Sequence, residues 1–452
     1  MSVKRGLGDT RNPPKGAKEA ELPSSWSYSR LGDIVDIRYG KMLPTVEFTE
    51  TGYPVFGANG IIGNYSQYLY EEQKVLISCR GAYSGAINLS PPLCFITNNS
   101  LVLEIRDSKQ ISREYLFYAL HTVDKSQLVT GSAQPQVTIN NAVVLCVPIA
   151  PFQEQKRIVA EIEKQFTRLE AGTAALRRVQ ANLKRYRAAV LKAACEGRLV
   201  STEAELAKTE KRKAKFETGE QLLARILKER REKWAGRGKY QEPAMPDSSS
   251  VTPLPQGWNL ACLAQLAAHI TDGTHKTPIY VTDGVPFLSA KDISGFRISF
   301  DNCRFISQSE HEMLRKRCAV RRGNVLITKS GTIGRVAVVE TDQEFSLFES
   351  VANIPVISPI EPKYISFASF VAVSGTFGAA NQKGVAVRHL HLEDLRRVPI
   401  PLPPLAEQTR IVAEVERRLS VIEGLEAMVA ANLQRAARLR QAVLQRAFSG
   451  QL

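Results

Sequence analysis

Two stretches of this sequence decide its architecture, because they are nearly the same: Val147-Pro-Ile-Ala-Pro-Phe-Gln-Glu-Gln-Lys-Arg-Ile-Val-Ala-Glu-Ile-Glu163 and Val398-Pro-Ile-Pro-Leu-Pro-Pro-Leu-Ala-Glu-Gln-Thr-Arg-Ile-Val-Ala-Glu-Val-Glu416. The second copy has two extra residues among its prolines. From Glu154 and Glu407 onward, the two copies stay 253 positions apart. A repeat of this size predicts a duplicated architecture before any helix or strand is assigned.

A second pair of matching motifs marks the start of each copy. Leu22-Pro-Ser-Ser-Trp26 recurs 232 positions later as Leu254-Pro-Gln-Gly-Trp258. Between these motifs lie short β-like runs and turns, of which Val75-Leu-Ile-Ser-Cys-Arg-Gly-Ala-Tyr-Ser-Gly85 matches Val325-Leu-Ile-Thr-Lys-Ser-Gly-Thr-Ile-Gly334. A shared frame with different interiors is what two readers of different targets need.

A long amphipathic helix is predicted after each proline cluster. Apolar residues recur there at steps of three, four and seven, which defines one apolar seam per helix. Each helix should span about 45 residues, or about 65 to 70 Å at ~1.5 Å per residue, with Gly197 and Gly450 as C-terminal caps. Because one small domain cannot cover so long a seam, we predict that the two helices pair; the alternative is that each packs on its own domain. The seam positions are Ile158, Ile162, Phe166, Leu169, Leu176, Val179, Leu183, Tyr186 and Val190, and then Ile411, Val415, Leu419, Ile422, Val429, Asn432, Ala436, Leu439 and Val443.

Composition and charge narrow the class of protein. Hydrophobic residues make up 44% and charged residues 23% of the 452 residues, as in ordinary soluble globular proteins. The net charge of +15 suits a polyanionic partner, either a nucleic acid or an anionic membrane surface. There is no run of 18 apolar residues and the first 18 residues are polar and basic, so we expect a cytoplasmic protein.

Motifs for catalysis or metal binding are not found in the sequence. The seven cysteines contain no C-x-x-C pair and are interpreted as small buried apolar side chains, and His389 and His391 lack partners at ligand spacing. Asn12-Pro-Pro-Lys15 has lysine where an adenine methyltransferase needs an aromatic ring to stack on the flipped base. No G-x-x-x-x-G-K-[ST] phosphate loop occurs. Catalysis is therefore expected from partner proteins.

Taken together, these motifs resemble the specificity subunits of type I restriction-modification enzymes, over nearly everything after residue 21. The resemblance implies an α+β protein in which two α/β target-recognition domains are separated by two long antiparallel helices that form an intramolecular coiled coil. Each domain is then expected to read one half of a bipartite DNA site. One departure is the loop Arg80–Gly85, which replaces the commoner Ser-Gly-Thr-x-Gly form kept at Ser330–Gly334.

The resemblance also implies partners and cofactors. The expected partners are double-stranded DNA, two modification (methyltransferase) subunits and the restriction (motor-nuclease) subunits, with no membrane. This chain should bind no cofactor, because S-adenosylmethionine, ATP and Mg are expected in the partner subunits. The expected domains are a polar leader without order (1–21), recognition domain 1 (22–151), long helix 1 (152–200), a basic helix and flexible linker (201–253), recognition domain 2 (254–404) and long helix 2 (405–452).

The basic stretch Glu203–Trp234 has no counterpart after the second long helix. Its pattern predicts one helix, which either contacts the DNA backbone or a partner subunit, or is a solvated linker. Residues 236–253 are rich in Gly, Pro and Ser and are predicted to form a flexible connection.

Residues that read DNA are expected in the loops of both domains, where Arg or Lys can recognise guanine and Asn or Gln can recognise adenine. Each of them could instead be a phosphate contact or a turn residue. The candidates are Asn59, Arg80, Tyr83, Gln134 and Gln136 in the first domain, and His275, Lys276, Lys291, Lys329, Ser330, Asn381, Gln382 and Lys383 in the second.

Two other functions were weighed against a DNA-specificity subunit. One is a stand-alone DNA methyltransferase or nuclease with fused recognition domains, which the missing cofactor motifs argue against and which binding of S-adenosylmethionine would reveal. The other is a helical adaptor that binds only protein, which the net charge of +15 disfavours.

Overall fold

The computed structural model describes residues 22–125, 128–131, 135–209, 216–232, 239–246, 253–375 and 389–452. The leader predicted over 1–21 and the candidates Gln134, Asn381, Gln382 and Lys383 therefore lie outside the described residues. The chain divides into unit 1, which is Met1–Arg178 with Val429–Leu452, and unit 2, which is Val179–Met428. Among the described helices, none combines the length and apolar character needed to cross a bilayer.

Unit 1 is built on a four-stranded antiparallel sheet of order β2-β8-β5-β6 and a three-stranded sheet of order β4-β3-β7. Strands β1 and β9 form a separate antiparallel pair that joins the start of the domain to the start of the long helix. The elements are β1 Ser27–Arg30, α1 Leu31–Ile34, β2 Val35–Tyr39, β3 Tyr53–Phe56, β4 Ile61–Tyr65, β5 Val75–Ser78, β6 Ile87–Leu89, β7 Phe95–Ile96, β8 Ser100–Ile105, α2 Arg113–Ala119, α3 Ile139–Val143, β9 Cys146–Ile149 and the first part of α4 Phe152–Cys195.

Unit 2 repeats this plan, with a sheet of order β11-β20-β17-β18, a sheet of order β12-β16-β13-β19 and the antiparallel pair β10-β21. The duplication predicted from the sequence is thus a duplication of the main sheet and of the strand pair before the long helix, whereas the second sheet gains a strand and the pair β14-β15 is added in unit 2. The elements are α5 Glu203–Thr209, α6 Gly219–Glu232, β10 Asn259–Cys262, α7 Leu263–Leu266, β11 Thr271–Asp272, β12 Tyr280–Val281, β13 Val285–Leu288, β14 Ile293–Ser294, β15 Arg297–Ile298, β16 Arg304–Ile306, α8 Gln308–Arg315, β17 Val325–Thr328, β18 Val336–Val338, β19 Ser346–Leu347, β20 Val351–Ile354, α9 Pro362–Ser374, α10 Leu392–Arg396, β21 Pro399–Leu402 and α11 Leu405–Ala447.

The repeated glutamine explains why the helix start is the most similar part of the two copies. The amide oxygen of Gln155 accepts a hydrogen bond from the backbone N–H of Ser112 (3.0 Å), and its amide nitrogen donates to the carbonyl of Ala150 (2.9 Å). In unit 2, Gln408 accepts from the N–H of Glu361 (3.1 Å) and donates to a proline carbonyl (3.0 Å). Both glutamines are fully buried. These bonds therefore pair amide and backbone groups whose burial without a partner would lower the free energy of unfolding.

The long helices α4 and α11 span 44 and 43 residues. In unit 1, Arg440 lies 4.1 Å from the ring centroid of Phe166 and 3.2 Å from the carboxylate of Glu170. In unit 2, Arg187 lies 2.9 Å from the carboxylate of Glu426. As the residue number rises along α4 from 166 to 187, the number of its partner on α11 falls from 440 to 426. The predicted antiparallel pairing is confirmed.

The apolar seam is less continuous than the helical spacing predicts. Ile162 and Phe166 belong to the buried core of unit 1, together with the end of α11. Val179, Tyr186 and Leu439, however, are exposed by more than two-fifths. The alternative that each helix packs on its own domain is therefore correct for the helix ends, where strands and short helices are near enough to cover the seam.

The basic stretch forms two helices, α5 and α6, instead of the one that its pattern predicts. Helix α6 begins at a capping box, in which Thr218 accepts from the N–H of Gln221 (3.2 Å) and the Gln221 side chain accepts from the N–H of Thr218 (3.0 Å). Leu222 is fully buried and Arg230 donates to the carbonyl of Ala267 (2.7 Å). Part of the stretch therefore packs within unit 2, and residues 210–215 and 233–238 lie outside the described residues.

Both long helices end just before the glycines that were predicted as their C-terminal caps. Gly197 has φ +67° and Gly450 has φ +72°, in the left-handed region that favours glycine. A Cβ atom at Gly197 would overlap the ring of Pro255, and one at Gly450 would overlap the ring of Pro23. Each long helix therefore ends against a proline of a Leu-Pro-x-x-Trp motif.

Candidate nucleic-acid interface

Several loops of unit 1 meet at one end of the sheet β2-β8-β5-β6. The N–H of Lys41 donates to the carbonyl of Ile96 (2.9 Å), and the N–H of Asn98 donates to the carbonyl of Lys41 (3.1 Å). Cys79 joins two further loops, because its N–H donates to Asn99 (2.9 Å) and its carbonyl accepts from Val137 (3.0 Å). These bonds unite the loops after β2, β5 and β7 with the segment before α3. We call this surface the unit 1 loop interface.

The structure brings together most of the candidates in this interface. Arg80 forms an isolated antiparallel bridge with Gln136, and the hydroxyl of Ser84 donates to the carbonyl of Pro135 (2.7 Å). The loop Arg80–Gly85 is one residue longer than its unit 2 counterpart, and Ser84 is the extra residue. The insertion that departs from the family pattern therefore bonds this loop to the segment that contains Pro135. Tyr83 is 59% exposed, and Arg80 and Gln136 are also exposed.

Asn59 reaches the same interface from the turn after β3. The hydroxyl of Ser78 donates to the carbonyl of Ala58, and the hydroxyl of Ser100 donates to the carbonyl of Gly57 (2.8 Å). These bonds fasten the turn to strands β5 and β8. The side chain of Asn59 is exposed on this turn.

Unit 2 holds the equivalent loops with the same backbone bonds. Thr274 donates to the carbonyl of Leu347 (3.0 Å), and Leu390 donates to the carbonyl of Lys329 (2.8 Å). Ser330, which stands where unit 1 has Arg80, forms an isolated bridge with His389. His275, Lys276 and Lys291 are exposed in this unit 2 loop interface, with Lys291 in the place of Asn59.

A buried carboxylate organises the charges of the unit 2 loop interface. The side chain of Asp272 is 3% exposed and lies 2.6 Å from Arg317, 3.2 Å from Lys329 and 3.2 Å from the Nε2 of His275. The Nδ1 of His275 lies 3.0 Å from the carboxylate of Glu349. Lys329 is itself buried, so its ammonium is held by Asp272 and does not project from the loop.

The unit 1 residues equivalent to Asp272 and Lys329 carry no charge. Gly40 and Gly273 both follow the first strand of their sheets, and a Cβ atom at either would overlap a backbone carbonyl of the neighbouring loop. That equivalence places Tyr39 opposite Asp272 in the alignment of the two units, and Cys79 opposite Lys329. The two interfaces therefore share a backbone frame and differ in electrostatics.

Five residues of these interfaces were not among the DNA-reading candidates of the sequence analysis, although His389 was considered there as a metal ligand. Alignment of Gly40 with Gly273 would have revealed Lys41 as the counterpart of Thr274. The others come from loops whose equivalence is visible only in the backbone bonds. They are Lys41, Asn98, Arg317, Glu349 and His389.

The cysteines follow the sequence interpretation, because all seven are free and all but Cys146 are buried. Burial raises the pKa of the Cys195 thiol to about 12. Within the described part of the chain, no group of three or more His, Cys, Asp or Glu side chains is placed to hold a metal ion.

We expect Asp272→Asn to lower the free energy of unfolding of unit 2 by roughly 2 to 4 kcal/mol, because it leaves the ammonium of Lys329 buried without a counter-ion. The matched control is Asp342→Asn, since Asp342 pairs with Arg322 but is 81% exposed, and it should cost less than about 1 kcal/mol. Denaturant unfolding of the full chain, followed by tryptophan fluorescence, measures both variants against the unchanged chain. Equal midpoints would show that the Asp272 cluster does not stabilise the unit.

Comparison with known proteins gives a consistent assignment along the chain. A family model described as the type I restriction modification DNA specificity domain matches residues 23–176 and 255–423. The type I restriction enzyme EcoBI specificity subunit of Escherichia coli is 24% identical over 453 residues, covering 95% of this chain and 87% of the relative. The EcoDI specificity subunit of the same species is 22% identical over 440 residues, covering 96% and 90%.

One solved chain shares this fold. It comes from a structure described as "Structural basis underlying complex assembly and conformational transition of the type I R-M system". It is 20% identical in sequence, with a TM-score of 0.65. The match covers 95% of this chain and 99% of that one. The likeness extends over both units and both long helices.

Proposed function

This chain belongs to the family of type I restriction-modification DNA specificity domains, and we propose that it reads DNA for partner enzymes without a catalytic centre of its own. One observation carries the proposal: two domains with the same order of strands in their main sheets present the same set of bonded loops with different side chains. A bipartite DNA site needs this arrangement, in which each domain reads one half. No observation favours a stand-alone methyltransferase or nuclease.

In unit 1 we assign base reading to the exposed side chains of Arg80, Gln136 and Asn59. Arginine donates twice to guanine, and glutamine or asparagine both donates and accepts at adenine, whereas Tyr83 offers an apolar face. In unit 2 we assign the same role to the exposed side chains of His275, Lys276 and Lys291. Lys329 and Ser330 are buried, and we assign them a positioning role. Asn381, Gln382 and Lys383, like Gln134 in unit 1, remain proposed contacts.

The long helices are proposed to set the gap between the half-sites and to bind two modification subunits. On α11 the apolar side chains of Val421, Leu425 and Met428 are 56%, 42% and 61% exposed. Their spacing of four and three residues places them on one helix face, and an exposed apolar stripe of this kind suits a partner helix. The restriction subunits, S-adenosylmethionine, ATP and Mg belong to the remainder of the complex, in the cytoplasm.

The decisive experiment is methylation mapping of DNA from cells that carry this chain with its modification subunits. A single gapped motif, methylated on both strands, is the expected result. The purified chain alone should neither methylate nor cut DNA and should bind it weakly, with an affinity that falls steeply as salt rises, because cationic contacts release counter-ions. Methylation or cleavage by the chain alone would disprove the non-catalytic function.

A further inference from the structure

In unit 2, the start of α11 holds the first turn of α5 through three side chains. The indole N–H of Trp258 donates to one oxygen of Glu407 (2.9 Å), and the backbone N–H of Glu203 donates to the other (3.0 Å). Arg410 pairs with the carboxylate of Glu203 and also donates to the carbonyl of Ser201 (3.1 Å). We call Trp258, Glu407 and Arg410 the unit 2 dock.

The docked segment seals this site. Glu407 is 0% exposed, and Thr202, Glu203 and Ala204 are buried against it. Burial raises the pKa of the Glu407 carboxyl. The two N–H groups aimed at this carboxylate, one from the indole and one from the backbone, compensate for its removal from water.

Unit 1 has the same three residues at the equivalent positions, Trp26, Glu154 and Arg157, which we call the unit 1 dock. Burial raises the pKa of Tyr115, and the negative charge of Glu154 adds to the rise, as burial and the charge of Glu407 do for Tyr364. The two carboxylates therefore lie in corresponding places.

Among the described residues, however, the unit 1 dock is not filled. Trp26 is 5% exposed and its indole N–H has no hydrogen-bond partner there. Arg157 is exposed, and no hydrogen bond or ion pair within the described ranges engages its guanidinium. A buried N–H without an acceptor costs free energy, which a segment that turns Glu154 onto Trp26 would recover.

The leader contains a segment of matching sequence. Glu19-Ala-Glu-Leu22 is the same tetrapeptide as Glu203-Ala-Glu-Leu206 at the start of α5. It is joined directly to the Leu-Pro-x-x-Trp motif of unit 1. From Glu19 to Leu22 the chain can span about 10 Å at ~3.4 Å per residue, and Leu22 itself packs against the core of unit 1.

The direction of the chain also agrees. Helix α5 runs from Glu203, at the dock, to Lys208, whose ammonium lies 3.3 Å from the side chain of Gln256. Gln256 stands two residues before Trp258, where unit 1 has Ser24. The leader likewise runs from Glu19 toward Ser24.

We propose that residues 18–22 bind in the unit 1 dock, with the N–H of Glu19 donating to Glu154 and the carboxylate of Glu19 pairing with Arg157. Binding places the carboxylate of Glu154 on the indole N–H of Trp26. Lys18 stands where Thr202 caps α5 by accepting from the N–H of Glu205 (3.2 Å).

Amide hydrogen exchange of the full chain, measured by mass spectrometry on a peptide over residues 15–24, tests this assignment. In that peptide the amide of Glu19 should exchange at least about tenfold more slowly than in an unstructured chain, because docking hydrogen-bonds it to Glu154. Glu19→Ala and Arg157→Ala should each restore fast exchange. The matched controls are Lys156→Ala, which removes a neighbouring exposed cation and should change nothing, and Arg410→Ala, which should speed exchange in residues 202–208.

Two results would overturn the proposal. One is that the leader of the full chain exchanges at the rate of an unstructured chain. This includes the case in which protection appears only after a modification subunit is added, since a segment of that partner then occupies the dock. The other is slow exchange that neither Glu19→Ala nor Arg157→Ala alters. Glu19→Ala keeps the test valid should Arg157→Ala disturb the fold, because it changes no residue of unit 1 itself.

Discussion

A chain in which residues 22–147 are replaced by the corresponding domain of another family member should recognise a new sequence in one half-site and the old sequence in the other. The unit 1 loops are bonded to one another inside that range, through Cys79, Lys41 and Val137. Their side chains therefore move with the exchanged domain, whereas the unit 2 loops keep their own bonds. Methylation mapping with the same modification subunits reads out both halves of the motif.

The structure also sets a condition on the exchanged domain. The hydroxyl of Tyr115 donates to the carbonyl of Pro148 (3.0 Å) and accepts from the N–H of Ala150 (3.1 Å), just beyond the junction. The donor domain must therefore carry a tyrosine at that place. The reciprocal exchange of residues 254–398 is the control and should change only the other half-site. A swap that altered both halves would show that the domains do not read independently.

Lengthening the two long helices should widen the gap between the half-sites without changing either of them. Four residues add about 6 Å at ~1.5 Å per residue, which allows at most about two extra base pairs at ~3.4 Å each. Because the helices are antiparallel and Glu170 faces Arg440 at 3.2 Å, the inserts belong after Thr173 in α4 and beside Ala437 in α11. Methylation mapping of each variant measures the gap.

Insert length separates spacing from loss of stability. Four residues turn the apolar seam by about 40° beyond a full turn at ~3.6 residues per turn, so this variant should also be less stable. Seven residues keep the seam closer to phase and should be tolerated better. An unchanged gap in two active, stable variants would contradict the spacing role and leave the helices as binding surfaces for the modification subunits.

Local and repeated patterns in the sequence were sufficient to determine the duplicated frame and the two long helices. Helical periodicity depends on residues three and four apart, so the spacing from Ile158 onward predicts α4 correctly, and the glycines at 197 and 450 end the helices as expected. The repeated Glu-Gln pair was equally visible. The physical role of this pair was not visible in the sequence: Gln155 and Gln408 accept hydrogen bonds from the backbone N–H groups of Ser112 and Glu361.

Only the tertiary structure decided which loops meet and which candidate side chains reach the surface. Sheet order β2-β8-β5-β6 joins strands that are far apart in sequence, and no local pattern encodes such pairing. Sequence identity alone made Lys329 a candidate for base contact, yet the fold buries it beside Asp272. The fold also leaves Val179 exposed, although the helical spacing of the apolar residues assigns Val179 to the seam. Burial and pairing depend on what the rest of the chain brings alongside, and residue type and spacing do not carry that information.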